Sequence, residues 1–312
     1  MKILITGVAG FVGKNIAQKL LDQGHEVYGI DNFFNSTKSD VPKGVVFFEI
    51  DVANVEWFDF FKNIDIDIVI HLAAQSSGEV SFKIPNYDCN TNVIGTLNVC
   101  EFSKKNKVKK ILFASSMSVY GESQGLVSEE TPLIPLSLYA VGKKASEDYL
   151  RIYSRQFDID VACLRFFNIY GIGQNLENMS QGMISIFLAQ ALNEEKIIVK
   201  GSLKRYRDFI YISDVVDILE FLAKASSLNG FVTFNVGTGE KTYLSDLIST
   251  IQTVSQTKKD VIIQNGTLGD QNGIYANNSK LIEITNKRKF TTLNEGLQEW
   301  VTTLKRENNF EN

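Results

Sequence analysis

Histidine is nearly absent from this chain of 312 residues: only His25 and His71 occur. That scarcity argues against a histidine-built zinc site and against a Ser–His–Asp triad, both of which place an imidazole at the centre of the chemistry. Cysteine is scarce too. Cys89, Cys100 and Cys163 are odd in number and not spaced like metal ligands, so buried free thiols and no bound metal are expected. The sequence has no run of about 20 apolar residues, which excludes an ordinary membrane-spanning helix. A basic leader with a cleavage site is also missing at the N-terminus, and a cytoplasmic location is the expectation. A net charge of −4 gives no reason to expect nucleic acid or an anionic membrane as partner. No linker, tandem repeat or low-complexity tract interrupts the chain. With 44% hydrophobic residues it can bury a large core, and its length admits one large domain or two.

The informative motifs begin at residue 2. Residues 2–6, Lys-Ile-Leu-Ile-Thr, are apolar and β-branched, as in a buried parallel strand. Gly7-Val8-Ala9-Gly10-Phe11-Val12-Gly13 comes next, then an apolar-periodic helix to about residue 23, ended by Gly24. Glycines at 7, 10 and 13 permit a tight turn, close approach of backbone N–H groups to a pyrophosphate, and tight packing of helix on strand. The spacing is Gly-x-x-Gly-x-x-Gly, not the usual Gly-x-Gly-x-x-Gly, so the strand–turn–helix context carries the weight. The next strand, 26–30, ends at Asp31, whose carboxylate can accept both ribose hydroxyls of a dinucleotide. It would repel a 2′-phosphate, and no arginine follows it, so NAD is expected over NADP.

The alternation continues. A strand at 45–50 ends at Asp51-Val52, where an acidic side chain and a backbone amide suit adenine. Another, 66–72, runs into His71-Leu72-Ala73-Ala74-Gln75, whose two small residues let the chain pass close beneath a dinucleotide. A helix with an apolar stripe spans about 87–106, and strand 110–114 follows. Short connections between such elements imply an α/β fold with a Rossmann-like, doubly wound parallel sheet. Phe33-Phe34 and Phe47-Phe48 look like adenine-side features, although core packing is the commoner fate of such pairs. Trp57, Phe58, Phe60 and Phe61 read as the apolar face of an amphipathic helix. Residues 123–135, with Pro132 and Pro135, read as a loop.

After Phe157 the pattern loosens. Strands are expected at 161–166, 197–200, 208–212 and 232–236, and helices at 183–192, 215–224, 244–254 and 293–304. The expected division is a dinucleotide-binding domain over 1–166 and a smaller, mixed α/β substrate-binding region over 167–312, with about 208–240 returning to the sheet. The second region is expected to form the other wall of the active-site cleft, and the polar loop 175–181 suits a substrate cover and equally a plain surface loop.

Tyr139 and Lys143, with Ser116 upstream, carry the chemistry. Positions i and i+4 share a helix face, so phenol and ammonium can project into one pocket. An adjacent cation favours the phenolate and brings a tyrosine pKa down from about 10. Such a phenolate can take a proton from a sugar or alcohol hydroxyl while hydride leaves the same carbon. Ser115-Ser116-Met117-Ser118 lies at the carboxyl end of a parallel strand, the edge at which these sheets bind ligands.

Taken in order, these residues resemble the extended short-chain dehydrogenase/reductases that act on nucleotide sugars, the NAD-dependent epimerase/dehydratases. The resemblance covers nearly the whole chain. Its landmarks are the N-terminal glycines, Asp31 with Asn35-Ser36, Asp51-Val52, His71-Leu72-Ala73-Ala74, and Asn92 with Gly95-Thr96. Further along stand Ser116, Val119-Tyr120-Gly121, Tyr139, Lys143, Leu164-Arg165-Phe166-Phe167-Asn168, Arg207-Asp208-Phe209-Ile210 and Asn235-Val236-Gly237. The resemblance implies that Tyr139 is the general base, that Lys143 holds the nicotinamide ribose and lowers the tyrosine pKa, and that Ser116 hydrogen-bonds the reacting oxygen. It implies NAD contacts from Gly7, Gly10, Phe11, Val12, Gly13, Asp31, Asn32, Asn35, Ser36, Asp51, Val52, Leu72, Ala73, Ala74, Asn92, Tyr139, Lys143 and Phe166. Gln75, Ser116, Ser118, Tyr139, Asn168 and Arg207 would meet the nucleotide sugar, the arginine offering planar, charge-assisted donors to phosphate. A homodimer joined through helices 87–106 and 137–157 is normal for the family.

Within the family the reaction turns on the two residues after Ser116. Sugar 4,6-dehydratases and UDP-glucuronate decarboxylases place a carboxylate there; this chain has Met117-Ser118. The expected reaction is therefore 4-epimerisation of a UDP-hexose: oxidation at C4, rotation of the keto intermediate, and re-reduction on the other face. A one-way 4-keto reductase is the alternative, with a 4,6-dehydratase and a non-catalytic NAD-binding regulator further off. One departure concerns phosphate binding. Many UDP-sugar epimerases carry a second diphosphate arginine before a Gly-Asp, and Asn265-Gly266-Thr267-Leu268-Gly269-Asp270 has none. Arg205 is the candidate replacement, a solvated surface residue the other reading. The run 71–81 also resembles enzymes of GDP- and CDP-sugars.

Overall fold

The apolar runs of the first half lie side by side. The computed structural model describes residues 1–179, 182–226, 228–266 and 273–310, the side chains of 308–310 excepted. In chain order its elements are β1 (Lys2–Thr6), α1 (Phe11–Asp22), β2 (Glu26–Asp31), β3 (Val46–Glu49), β4 (Ile68–His71), α2 (Gly78–Lys83), α3 (Pro85–Cys89), α4 (Gly95–Lys105), β5 (Lys110–Ser116), β6 (Gly125–Val127), α5 (Leu138–Phe157) and β7 (Asp160–Phe166). Then come β8 (Asn168–Tyr170), α6 (Met183–Asn193), β9 (Lys196–Lys200), β10 (Tyr206–Arg207), β11 (Phe209–Tyr211), α7 (Ile212–Lys224), β12 (Phe231–Val236), β13 (Thr242–Tyr243), α8 (Leu244–Ser255), β14 (Asp260–Gln264), β15 (Ile274–Ala276), α9 (Ser279–Thr285) and α10 (Leu293–Phe310). Two compact units result. The first comprises 1–121, 133–165 and 216–234; the second takes 122–132, 166–215 and 235 onward.

The first unit is built on a seven-stranded sheet in the order β12-β7-β5-β4-β1-β2-β3. From β3 through β2, β1 and β4 to β5 every pair is parallel. Ile3, Leu4 and Ile5 of β1 are wholly buried, as in a strand covered on both faces. Leu4, Trp57, Phe61, Phe102, Phe113 and Val161 belong to one core cluster. Strand order reverses between β1 and β4, and at that switch point Thr6 pairs with His71 at the carboxyl ends. Doubly wound sheets bind dinucleotides outside such a point. At the other side of the sheet, Lys110 of β5 donates its ammonium protons to the carbonyls of Leu222 (2.9 Å), Ala223 (3.3 Å) and Ala225, closing the C-terminal end of α7. A cation there satisfies orphan carbonyls and opposes the helix dipole.

The second unit contains four two-stranded pairings: β10 with β13, β11 with β8, β14 with β9, and β15 with β6. Buried Asp208 joins several of its segments, accepting from Thr238 N (2.9 Å), Thr238 Oγ1 (2.8 Å), Gly239 N (2.9 Å) and Ala276 N (3.0 Å). Among the described residues no helix is long and apolar enough to cross a membrane.

Several local expectations are corrected. Residues 56–61 form a 3₁₀ segment rather than an α-helix. Trp57 and Phe61 are buried from it, and Asn98 pins the preceding carbonyls of Val52, Ala53 and Asn54 at 3.1, 2.8 and 3.2 Å. The helix expected over 87–106 contains a π-helical turn at Asn90–Ile94. The Asn92 carbonyl there accepts from the hydroxyls of Thr96 (2.7 Å) and Ser146 (2.8 Å). The expected loop 123–135 contains β6, whose parallel partner β15 is distant in sequence. Cys100 and Cys163 are buried thiols, burial pushing the first up to about 12; Cys89 is exposed. Phe34 is not core: it is exposed and stacks on Tyr87 with centroids 4.4 Å apart. Residues 180–181 of the polar loop and 267–270 of the arginine-free stretch lie outside the described residues.

Candidate active site

The glycine turn has the shape its spacing demands. Gly7 has φ +73°, and a Cβ there would lie 2.7 Å from Ala73 N. A Cβ on Gly13 would lie 2.0 Å from the Gly7 carbonyl oxygen, so helix and turn meet backbone to backbone. Leu72 N and Ala73 N donate to the carbonyl (3.1 Å) and hydroxyl (3.2 Å) of Thr6, which draws 72–74 beneath the turn. Gly10 is the N-cap of α1 and offers no side-chain acceptor to the first-turn N–H groups of Phe11, Val12 and Gly13. A pyrophosphate can accept from such groups and gains from the helix dipole.

At the end of β2, Asp31 accepts from Ala9 N (3.0 Å), Phe33 N (2.9 Å) and Ser36 Oγ (3.2 Å). A carboxylate has about four acceptor positions, so capacity remains for a ribose hydroxyl. Asn32 Nδ2 donates to Asp51 (2.8 Å) and to the Tyr87 hydroxyl (3.2 Å), bringing two expected cofactor residues together. Asn35 is exposed, Val52 is buried, and Phe166 ends β7 in a buried position.

Ser116, Tyr139 and Lys143 converge in this first unit. Ser116 ends β5 and caps the 3₁₀ turn 117–120, accepting from Ser118 N at 3.1 Å and contacting Ser118 Oγ at the same distance. Ser137 caps α5, accepting from Ala140 N at 3.2 Å, which sets Tyr139 in the first helical turn. The phenol is hydrogen-bonded to Ser116. Lys143 donates to the Ala114 carbonyl at 2.7 Å, and its nitrogen lies 5.9 Å from the Tyr139 ring centre. Electrostatically the site departs from expectation. Burial pushes the phenol up to about 12 against the Ser116 hydrogen bond, with the Asp88 charge adding to the rise. Lys143 is brought down to about 8 by burial, against the pull of Asp88, Glu147 and Cys163. Desolvation outweighs the short-range help that Lys143 was expected to give.

Around these residues lies a buried polar network in which sequence reading named Gln75, Asn92, His71, Tyr120 and Arg165 but missed Asp88 and Glu147. Asp88 accepts from Gln75 Nε2 at 2.6 Å and Asn92 Nδ2 at 3.0 Å. Gln75, expected at the substrate, is buried and also donates to the Ser77 carbonyl at 2.9 Å. Asp88 and Asn92 stand four residues apart on one helical face, the one signal that could have linked them. Glu147 accepts from Arg165 Nε (3.0 Å), Arg165 Nη2 (2.7 Å) and Ser115 Oγ (2.5 Å), and Arg165 donates to the Tyr120 hydroxyl (3.0 Å). His71 sits between Thr6 Oγ1 (2.7 Å) and Thr96 Oγ1 (3.0 Å), held down to about 3 by burial and then by the Lys143 charge. Because Thr96 donates onward to the Asn92 carbonyl, it accepts from His71 Nε2–H, and Thr6 donates to Nδ1.

In the second unit, Arg207 is buried and donates to the Tyr206 carbonyl at 2.8 Å. Burial and then the neighbouring Arg205 bring it down to about 10. Arg205 is buried too; its guanidinium donates to the carbonyls of Lys200 and Ser202, which corrects its reading as a solvated residue. Asn168 Nδ2 donates to the Asp208 carbonyl at 2.8 Å.

Known proteins resemble this chain in sequence and fold. The NAD dependent epimerase/dehydratase family matches residues 3–237. A dTDP-4-dehydro-6-deoxyglucose reductase of Escherichia coli is 30% identical, the match covering 97% of each chain. The UDP-glucose 4-epimerase of Thermotoga maritima, solved with UDP-glucose, superposes with a TM-score of 0.93 at 29% identity, covering 98% of this chain and 99% of that one. The Thermus thermophilus UDP-glucose 4-epimerase, solved with NAD, gives 0.89 at 29% identity over 98% and 99%. An uncapped glycine turn at the switch point and a carboxylate at the end of β2 fit the same dinucleotide, and the chain belongs to the NAD dependent epimerase/dehydratase family, with NAD as its cofactor.

Proposed function

We propose that this chain is an isomerase, a UDP-hexose 4-epimerase. The observation that carries the reading is the Ser116–Tyr139–Lys143 group followed by the turn Met117–Tyr120, which holds no carboxylate to drive elimination. NAD, when bound, supplies a hydride acceptor that is also cationic in its oxidised form. With that cation and the buried Lys143 ammonium together offsetting the burial that holds the phenol up, Tyr139 as the phenolate takes the proton of the C4 hydroxyl while Ser116 donates to the same oxygen. After the keto sugar turns its other face, Tyr139 returns the proton to the C4 oxygen. No atom is gained or lost.

In the second unit, Arg207 is the proposed diphosphate residue with Asn168 beside the nucleotide, and Arg205 adds positive charge. Two buried guanidiniums, the second depressing the first, suit a doubly charged anion. Along α5, Leu138, Val141, Tyr149 and Ile152 are exposed on the face opposite Tyr139 and Lys143. An apolar stripe of this kind suits a helix-to-helix homodimer, which sedimentation of the purified protein would reveal.

The test is incubation with a panel of UDP-, GDP-, CDP- and dTDP-sugars without added reduced cofactor. The expected product is a C4 epimer of unchanged mass, carrying no deuterium at C4 when formed in deuterated water. A product lighter by one water would refute the reading. The second reading, a 4-keto reductase, draws on the likeness to the E. coli reductase; a strict need for stoichiometric reduced cofactor would favour it.

A further inference from the structure

The buried carboxylate of Asp88 has no part in the mechanism above, yet it lies against the helix that carries Tyr139 and Lys143. Tyr139, Gly142, Lys143 and Ser146 are all buried on one face of α5. Asp88 Oδ2 is 3.8 Å from where a Gly142 Cβ would stand, which brings the carboxylate against α5 beside the residue that precedes Lys143. Its other oxygen is fixed by Gln75 Nε2 and Asn92 Nδ2, at 2.6 and 3.0 Å. Both of these donors are neutral. The neighbouring carboxylate, Glu147, already has Arg165 in two-point contact.

We propose that Asp88 is a positioning residue for the Tyr139–Lys143 pair: held by Gln75 and Asn92, its carboxylate is the buried counter-charge that keeps the Lys143 ammonium protonated. A lone ammonium buried this deeply loses its proton easily. Asp88 is the largest influence opposing that loss, ahead of Glu147 and Cys163; burial holds the Asp88 carboxyl above its ordinary range, while the Gln75 hydrogen bond and then the Lys143 charge draw it back toward its charged form. The groups facing the pair are Tyr139 on α5, Glu147 one turn beyond Lys143, Cys163 on β7, and His71 on β4, which is neutral. Asp88 also disfavours the Tyr139 phenolate. Its removal therefore moves both titrations the same way, downward.

The inference rests on the epimerase reading only for its activity arm. Asp88→Asn keeps an acceptor oxygen for Gln75 and Asn92 while deleting the charge, and Asp88→Ser does so with less volume. The side-chain amine of Lys143 is followed by 15N NMR of lysine-labelled protein with saturating NAD, its resonance identified by loss in Lys143→Met. Either variant is expected to lower the Lys143 midpoint by about one pH unit, the scale of a charge a few ångströms away. Both limbs of the kcat–pH profile should shift toward acid with it. A Lys143 midpoint unmoved in a folded variant, with activity merely scaled down, would overturn the proposal and leave Asp88 a packing residue. If the wild type epimerised nothing, the function would fall, and the NMR midpoint would still decide the role of Asp88.

Discussion

Replacing Tyr139 by phenylalanine removes one oxygen and leaves the buried ring in place. The fold and NAD binding should survive, while turnover falls by roughly 10²–10⁴-fold, the usual loss with a general base. Steady-state kinetics beside thermal unfolding check this, and retention of most activity would remove Tyr139 from its role. Asp31 makes the second prediction at this scale. Its carboxylate is held by Ala9, Phe33 and Ser36 and stands where a 2′-phosphate would be repelled. NAD should bind at least tenfold more tightly than NADP, about 1.4 kcal/mol, and Asp31→Ala should narrow that gap. Calorimetric titration of stripped protein with both cofactors measures it. Residues of this kind were legible because the partners stand in local, recurrent patterns: glycines three apart, an acid at a strand end, a tyrosine and lysine four apart. Asp88 was not. Its i,i+4 spacing to Asn92 is the one local sign, and that alone does not distinguish a buried aspartate from a solvated one when its other donor, Gln75, comes from a different element. The pKa of Tyr139 was misjudged for a related reason, since desolvation depends on everything packed around the phenol and not on the lysine one turn away.

At the scale of elements, the strand–turn–helix start depends on Gly13 more than on any side chain. Gly13→Ala would press a methyl to 2.0 Å from the Gly7 carbonyl oxygen, and that oxygen belongs to rigid backbone rather than to a flexible side chain. Overpacking of that sort costs about 1–3 kcal/mol, and the turn must open to relieve it. The expected outcome is lower stability in urea together with loss of NAD affinity. A variant that kept wild-type affinity would show that the turn tolerates displacement. The strands of the parallel sheet were legible as apolar runs. Short strands such as β6 were not, because Gly125–Val127 becomes a strand only through its pairing with Ile274–Ala276. The π-helical turn was hidden likewise: the hydroxyl that bonds the Asn92 carbonyl from outside its own helix is on Ser146.

The whole molecule answers to pH through His71. The unfolded chain binds a proton there near pH 6.5, whereas the native ring, buried between two threonine hydroxyls, refuses it until about 3. The unfolded state therefore holds the extra proton throughout that window, and stability falls as pH drops from 6.5 toward 3, by roughly 1.4 kcal/mol per unit from this group. Urea unfolding at about pH 6 and about pH 4 should show a steeper loss in the wild type than in His71→Gln, by about one proton. Equal slopes would mean that the ring ionises within the fold.

The first unit also has a schedule of synthesis written into it. Its last strand, β12, and the segment 216–234 reach the ribosome exit long after β7, to whose open edge β12 belongs. The Lys110 ammonium likewise waits for the carbonyls of Leu222 and Ala223. Until those residues emerge, the nascent chain carries an unpaired strand edge, the feature most open to wrong partners and to chaperones that mask it. A fragment ending at 166 would lack β12 and leave the β7 edge without its partner.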